Sequence, residues 1–291
     1  MLAGGSRRSG ANGGRSLRWD WNGWLTDSSI TFFSCREHGK REASLIEKEF
    51  LLIHSELERE APGSTASTER ALASLPSLEG EVWTLDIGCG PGSATKVLLQ
   101  ALTGPLFALD IHRPYLDRLV LEALEAGLSH RLTVVEGDMA SMPFPEASFD
   151  LIWSEGAVYV VGFERGLTLW RPLLKEGGFI ALSDAVYLVD SPSPEVGRFW
   201  GEEYPTMTTV DETLLRARRA GFDVLDHFVL PREDWCDYYL PLEARLDFLE
   251  GEYEGDEAME TAIAAERREI DLWRRHGDEV GYAFFVLRRR P

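Results

Sequence analysis

The sequence is short of cysteine, of lysine and of long apolar runs, and each scarcity excludes something. Three cysteines, Cys35, Cys89 and Cys236, stand far apart among 291 residues. Their odd number rules out a disulfide framework, and no His, Cys or carboxylate spacing suits a metal, so no metal is expected. Free thiols fit a reducing compartment, and a cytoplasmic location is the expectation. Only four of the 30 basic residues are lysine, against 49 acidic residues, for a formal charge of −19 and a pI near 4.8. Residues 45–291 hold 23 basic and 45 acidic side chains. A body so acidic repels a phosphate backbone, so no nucleic-acid partner is expected. Nowhere do 18 apolar residues run uninterrupted, which gives no spanning helix and no membrane partner. The N-terminus has no apolar h-region before a small-residue cleavage site, so secretion is not expected.

What is present suits one large domain with appendages, since 44% of the residues are hydrophobic and such a chain buries an ample core. Residues 1–40 are rich in Gly, Ser, Arg and Trp without periodicity and read as a disordered extension. Over 41–80 two helices are expected to form a lid. Apolar residues at Leu45, Phe50, Ile53 and Leu57 mark the first, over 42–60, before Pro62 and Gly63. Ser67 or Thr68 would cap the second, which ends before Pro76.

From 81 to 291 strand and helix alternate. Strands are expected over 82–87, 105–109, 132–135, 149–153, 179–182 and 224–229, with helices over 93–102, 114–126, 163–174 and 211–220. A polar stretch over 231–276, read as two helices, is inserted before a last strand at 282–287. Within it the charge-rich run 250–275 reads as a solvated amphipathic helix. Strands apolar on both faces in a βαβ rhythm mean an α/β fold with a doubly wound parallel sheet, and ligands at the strands' carboxyl ends.

The sharpest motif is LDIGCGPG at 85–92, between an expected strand and an expected helix. Its glycines permit positive φ and close approach of backbone to ligand, and Gly92 lets the next helix pack near the strand. Asp110 ends the second strand, where a carboxylate accepts both hydroxyls of a ribose. Together they outline an adenosine site. The motif lacks the GxGxxG spacing that opens a helix N-terminus to a pyrophosphate, which disfavours a nicotinamide dinucleotide.

The order LDIGCGPG, LFALDIH at 106–112, EGDMASMPFP at 136–145 and SFDLIWSEGAVYVVGFERGL at 148–167 resembles the class I S-adenosylmethionine-dependent methyltransferases. More narrowly, residues 45–291 resemble bacterial small-molecule methyltransferases of largely unassigned substrate. The resemblance implies a Rossmann-like seven-stranded sheet with an antiparallel last strand, and S-adenosylmethionine as the methyl donor with S-adenosylhomocysteine as product. It also implies that Asp86, Gly88, Cys89 and Gly90 line the donor's methionine portion, with Gly92 and Ser154 completing the set. Asp110 would hold the ribose, Ile111 and Met139 would flank the adenine, and Asp138 would accept its amino group. For Ile111 and Met139 a plain core role competes, and Cys89 reads as a small loop residue rather than a nucleophile.

The acceptor is less legible. Glu155 and Tyr159 follow the fourth strand, whose end abuts the reactive methyl in this fold, so Glu155 could take a proton or orient an amine. Holding backbone amides is its competing role. His227, near a strand end, is the one histidine considered as a base, against an ordinary structural role. Trp200, Tyr204, Trp235, Tyr238 and Tyr239 could enclose a flat or cationic group, or simply form core. The expected activity is methyl transfer to a small molecule at N, O or C by a monomer or homodimer. A protein substrate, a non-catalytic cofactor-binding module and a nicotinamide-dependent oxidoreductase are the rivals.

Overall fold

Short runs such as TLDI and LFALD are apolar on both faces and are stable as strands only where helices cover each side. In the computed structural model, which describes residues 32–34 and 45–291, these runs form β2 (Thr84–Ile87) and β3 (Leu106–Asp110). With them lie β4 (Leu132–Glu136), β5 (Phe149–Glu155), β6 (Leu174–Tyr187), β8 (Phe222–Val229) and β9 (Val280–Arg289). Two short pieces, β1 (Phe32–Ser34) beside β4 and β7 (Thr208–Thr209) beside β6, bring the described sheet to nine strands in the order β1-β4-β3-β2-β5-β6-β9-β8. Only β9 runs against the rest, inserted between β6 and β8. The seven expected strands, the last of them antiparallel, are therefore present. The strand at Phe32–Ser34 corrects the expectation of disorder there: it continues the ladder at the open edge of β4, where unpaired backbone groups favour an added strand. The rest of that extension lies outside the described residues.

The helices α3 (Ser93–Ala101), α4 (Arg113–Glu125), α5 (Phe163–Trp170) and α7 (Val210–Arg219) make the crossovers. Alternation along β9 divides the core in two: Phe284 joins the cluster with Trp153 and Leu116, and Phe285 joins that with Ile87 and Leu167. Strand order reverses between β2 and β5, and the crevice at their carboxyl ends is where a ligand fits.

Four elements differ from the expectations. The first helix, α1 (Leu45–His54), stops short of residue 60, because His54 and Glu60 engage each other across the turn that follows. The second, α2 (Thr65–Ala73), is capped by Ser64, whose hydroxyl accepts from Ser67 N at 3.1 Å, rather than by Ser67 or Thr68. A helix not foreseen, α6 (Pro194–Glu203), starts with proline in its first turn. The run 250–275 is split: α8 (Arg232–Glu252) ends, Gly255 takes φ +84°, and Asp256 caps α9 (Glu257–His276) through Ala258 N and Met259 N. Met259, Ile263, Ile270 and Trp273 bury one face of α9, the apolar face of the amphipathic helix read from the run. No helix among the described residues is long and apolar enough to cross a membrane.

Candidate active site

After β2 the chain must reverse into α3 while staying within reach of β3. Gly88 and Cys89 both donate to the Leu109 carbonyl, at 2.8 and 3.1 Å, which ties the loop to the end of β3. Gly88 takes φ +68°, and a Cβ there would lie 2.4 Å from Ala157 Cβ. At Gly92, φ is +88° and a Cβ would meet Leu119 of α4 at 2.3 Å, the close helix packing read from the sequence. Asp110 locks the loop from the other side: Oδ2 accepts from Gly90 N at 2.9 Å and Oδ1 from His112 N at 2.8 Å. Each of its oxygens keeps a lone pair for a further donor.

The loop's surroundings are acidic. Asp86 is buried and accepts from Thr95 Oγ1 at 2.6 Å. Burial, reinforced by the charges of Glu155 and Asp110, pushes Asp86 up to about 7 against that hydrogen bond. Burial also raises Asp110, opposed by its hydrogen bonds from His112 and Gly90. Burial, then the charges of Asp110 and Asp86, drives the Cys89 thiol well above its ordinary range. It is therefore no thiolate nucleophile at neutral pH.

Ile111 is 73% exposed beside Asp110, so the core role that competed for it fails. Met139 is half-buried, with its carbonyl accepting from Trp170 Nε1 at 3.0 Å and its Cε facing Gly88. Asp138 is exposed and uses one oxygen to accept from Ala140 N, at 2.8 Å. Ser154, expected among the cofactor residues, has a different partner: it is completely buried and donates to the Ile87 carbonyl at 2.9 Å, bracing the loop from below.

Residues 58–62, between α1 and α2, form a strap across the loop. Ser93 Oγ donates to the Glu58 carbonyl. Arg59, Glu60, Asp86, Gly90, Ala94 and Glu155 enclose ≈ 40 Å³ beneath it. Glu155, a candidate base, has both oxygens engaged: Oε1 accepts from Thr68 Oγ1 at 2.7 Å and Trp153 Nε1 at 2.9 Å, and Oε2 from Arg59 at 3.1 Å. So placed, it anchors strap and α2 instead of standing free to take a proton. His54 lies between Glu60 at 2.9 Å and Glu266 of α9 at 3.3 Å. Burial opposes the charge on His54, but hydrogen bonds to Glu266 and Glu60, with their charges, raise it to about 9.

Beyond the strap the structure brings Tyr159 to the aromatic group expected over the site. Tyr159 is 43% exposed and meets Tyr204 edge-on at 6.1 Å, and Tyr204 donates to Asp184 Oδ2 at 2.8 Å. Trp235, Tyr238 and Tyr239 pack with Trp273 and Tyr282 in one cluster, in which Trp235 stacks on Trp273 and meets Tyr282 edge-on. Tyr239 donates to Glu269 at 2.8 Å. Trp200 packs on Phe199 of α6. His227 is not brought to this group: it is exposed on the outer strand β8 and lines a separate cavity of ≈ 360 Å³ with Tyr187, Asp190 and Asp211. Sequence reasoning passed over Asp184, Glu269, His54 and Arg59. Asp184 sits in SDA at a strand's carboxyl end, a position that could have singled it out. The others carry no local signal.

Residues 84–178 match the family model described as a methyltransferase domain. The chain is 28% identical over 193 residues to sterol 24-C-methyltransferase ERG6B of Gibberella zeae, covering 63% of this chain and 51% of that protein. It thus spans about half the length of the sterol methyltransferases it matches. With sarcosine/dimethylglycine N-methyltransferase of Halorhodospira halochloris it shares 27% over 249 residues, covering 82% of this chain and 86% of that one. A methyltransferase from Geobacter sulfurreducens, solved with S-adenosyl-L-homocysteine, superposes with a TM-score of 0.71 at 19% identity, over 84% of this chain and 98% of that one. Sheet order and glycine loop thus agree with the domain match: residues 84–178 match a methyltransferase domain, the chain has the fold of the solved methyltransferase, and the acidic strap and aromatic group are its own surroundings for that fold.

Proposed function

We propose that this chain transfers the methyl group of S-adenosylmethionine to a small-molecule acceptor and releases S-adenosylhomocysteine. The reading rests on one observation: Ile111 is exposed directly after Asp110, Asp138 follows Gly137, whose N–H donates to the Asp110 carbonyl at 3.0 Å, and the adjoining loop leaves no room for a Cβ at Gly88. A nucleoside needs that set. Its diol needs an acceptor, its ring an apolar face, and its amino group an acceptor at the edge. In this reading Asp110 holds the ribose, Ile111 and Met139 flank the adenine, and Asp138 takes the amino group. Gly88, Cys89, Gly90 and Asp86 line the methionine portion. Asp110 and Asp86, which have no cationic partner among the described residues, favour the positive charge of a sulfonium, while Glu155 is matched by Arg59.

Transfer is an in-line displacement in which positive charge leaves sulfur, so the chain's task is to hold the partners aligned and exclude water. Strap and helices α1 and α2 serve as the lid. The ≈ 40 Å³ under the strap is far below the roughly 300–1,000 Å³ of ligand pockets, so the strap lifts to admit the donor and closes on it. Roofing by α8 and α9 favours a small acceptor over a protein segment. A cytoplasmic setting is part of the same proposal, supported by the unpaired Cys89 and Cys236.

Calorimetry with S-adenosylhomocysteine tests the donor site, with one-to-one binding expected; no binding would sink the proposal. Release of S-adenosylhomocysteine from S-adenosylmethionine against pooled metabolites then tests transfer. Binding without release from any pool would favour the non-catalytic module.

A further inference from the structure

The strap carries a carboxylate with one oxygen left over. Glu60 pairs through Oε2 with His54 Nδ1 at 2.9 Å, while its Oε1 is shut off from solvent and has no hydrogen-bond partner among the described residues. Its cation is also shared. His54 lies 3.3 Å from Glu266 of α9, so a single imidazolium serves two carboxylates and leaves one negative charge unmatched. Buried carboxylates are normally matched by a cation. Burial raises Glu60, opposed by its pairing with His54 and by the nearby Tyr115 hydroxyl, which is itself buried and closes no hydrogen bond among the described residues.

Glu60 is held in place from both sides. Arg118 of α4 donates to the Leu57 carbonyl at 2.8 Å, and Ser93 of α3 donates to the Glu58 carbonyl. On the other side Ala61 sits so close to Gly156 that a Cβ there would stand 2.1 Å from its own, an approach that only glycine permits. Between these points Glu60 overhangs the donor loop, with its Cγ 3.4 Å from where a Cβ of Gly90 would stand. It lines the ≈ 40 Å³ cavity together with Asp86, Gly88, Cys89 and Gly90, the four residues given to the methionine portion, and none of the residues given to ribose or adenine lines it. Of the polar groups at a methionine end, the carboxylate repels Glu60, whereas the α-ammonium is both a hydrogen-bond donor and a cation.

We propose that Glu60 binds the α-ammonium of the methyl donor and is the residue by which the strap distinguishes a complete amino-acid end from deaminated adenosyl thioethers. This rests on the proposed methyl transfer and adds a specificity-determining residue to its donor site. Two features combine: Oε1 is an acceptor with nothing to accept, and the ammonium is the second cation that Glu60 and Glu266 lack. The same contact ties strap closure to the donor, since a ligand without the ammonium leaves that charge unmatched under residues 58–62. Arg59, the neighbouring strap residue, stays on Glu155.

The test titrates the full chain by calorimetry at neutral pH with S-adenosylhomocysteine and two analogues: 5′-(3-aminopropylthio)adenosine, which lacks only the carboxylate, and 5′-(3-carboxypropylthio)adenosine, which lacks only the ammonium. Wild type is expected to bind S-adenosylhomocysteine about tenfold more tightly than the carboxypropyl compound or better, the order of a charge-assisted hydrogen bond. Glu60→Gln keeps the shape and an acceptor oxygen but not the charge. It is expected to weaken S-adenosylhomocysteine and the aminopropyl compound about tenfold and to leave the carboxypropyl compound unchanged or tighter. Glu60→Asp, which withdraws the charge by one methylene, is expected to show the same selective loss to a lesser degree, and it carries the test if the neutral variant does not fold. Weakening of all three ligands alike would make Glu60 a structural tie of the strap, and weakening of none would leave the ammonium to Asp86. Weakening of S-adenosylmethionine but not S-adenosylhomocysteine would put Glu60 at the sulfonium. Each of these, or a wild type indifferent to loss of the ammonium, overturns this inference alone, whereas failure of S-adenosylhomocysteine to bind wild type overturns the proposed function with it.

Discussion

The two halves of the crevice are assembled on different length scales. On the donor side the partners are close in sequence: Thr95 bonds Asp86 nine residues away and Gly90 bonds Asp110 across 20. On the acceptor side Thr68 reaches Glu155 across 87 residues, Arg59 reaches Glu155 across 96, and His54 reaches Glu266 across 212. The donor half is a strand–turn–helix–strand unit whose hydrogen bonds are mostly backbone. The acceptor half is a meeting of side chains from the strap, β5, β6, α8 and α9. One half is set by local chain geometry, and the other exists only once the whole sheet is closed.

Four substitutions and one control break or sharpen that difference. The largest effect is expected for Gly88→Ala, whose methyl meets Ala157 at 2.4 Å with φ at +68°. Binding of S-adenosylhomocysteine should weaken by about 100-fold or more, beyond the roughly 1–2 kcal/mol of left-handed backbone strain alone. Gly127→Ala is the control, since it has φ +72° and nothing within 4 Å. It should cost stability on the scale of that strain and leave binding intact in calorimetry, and similar losses in both variants would remove the donor loop from its place.

Next comes His54, the acceptor side's long-range tie. Its folded value of about 9 lies above the ordinary 6.5. Its contribution is therefore complete below pH 6.5 and is lost as pH rises through about 9. A shift of that size is worth on the order of 3 kcal/mol. Chemical denaturation of wild type and His54→Gln at pH 6 and pH 10 should show a large gap at pH 6 that closes at pH 10. A gap independent of pH would mean the imidazole is merely packed.

Asp110→Ala should weaken S-adenosylhomocysteine by at least about tenfold, from charged hydrogen bonds worth roughly 1.5–3 kcal/mol. Circular dichroism should find the fold unchanged, and unchanged affinity would refute the ribose assignment. The smallest effect is expected for Ile111→Ala. Because the side chain is 73% exposed, melting temperature should hold within surface-substitution range, while affinity falls by about fivefold as an apolar contact of roughly 1 kcal/mol is lost. A drop in stability without loss of affinity would return Ile111 to the core.

Along the sequence, apolar periodicity and turn residues carried the strands β2 to β5, their crossover helices, and the last strand. The glycine loop and Asp110 were legible for the same reason. Helix limits at the N-terminus were not, because α1 stops where His54 turns toward Glu60 and Glu266, and no local pattern encodes a partner 212 residues away. Glu155 illustrates the same limit. Its place at the end of β5 was readable, but its engagement by Arg59, Thr68 and Trp153 was not, and that engagement changes a candidate base into an anchor.

The sequence by itself determined the sheet, the donor loop and the acidic character of the chain, because hydrophobic period, glycine conformation and net charge act within a few residues. Only the tertiary structure decided that Ile111 faces outward, that His227 stands apart, that Tyr204 reaches Asp184 and that Tyr239 reaches Glu269. Burial, and with it the cost of an unmatched charge, depends on which distant elements pack together, and that becomes defined only when the chain has closed on itself.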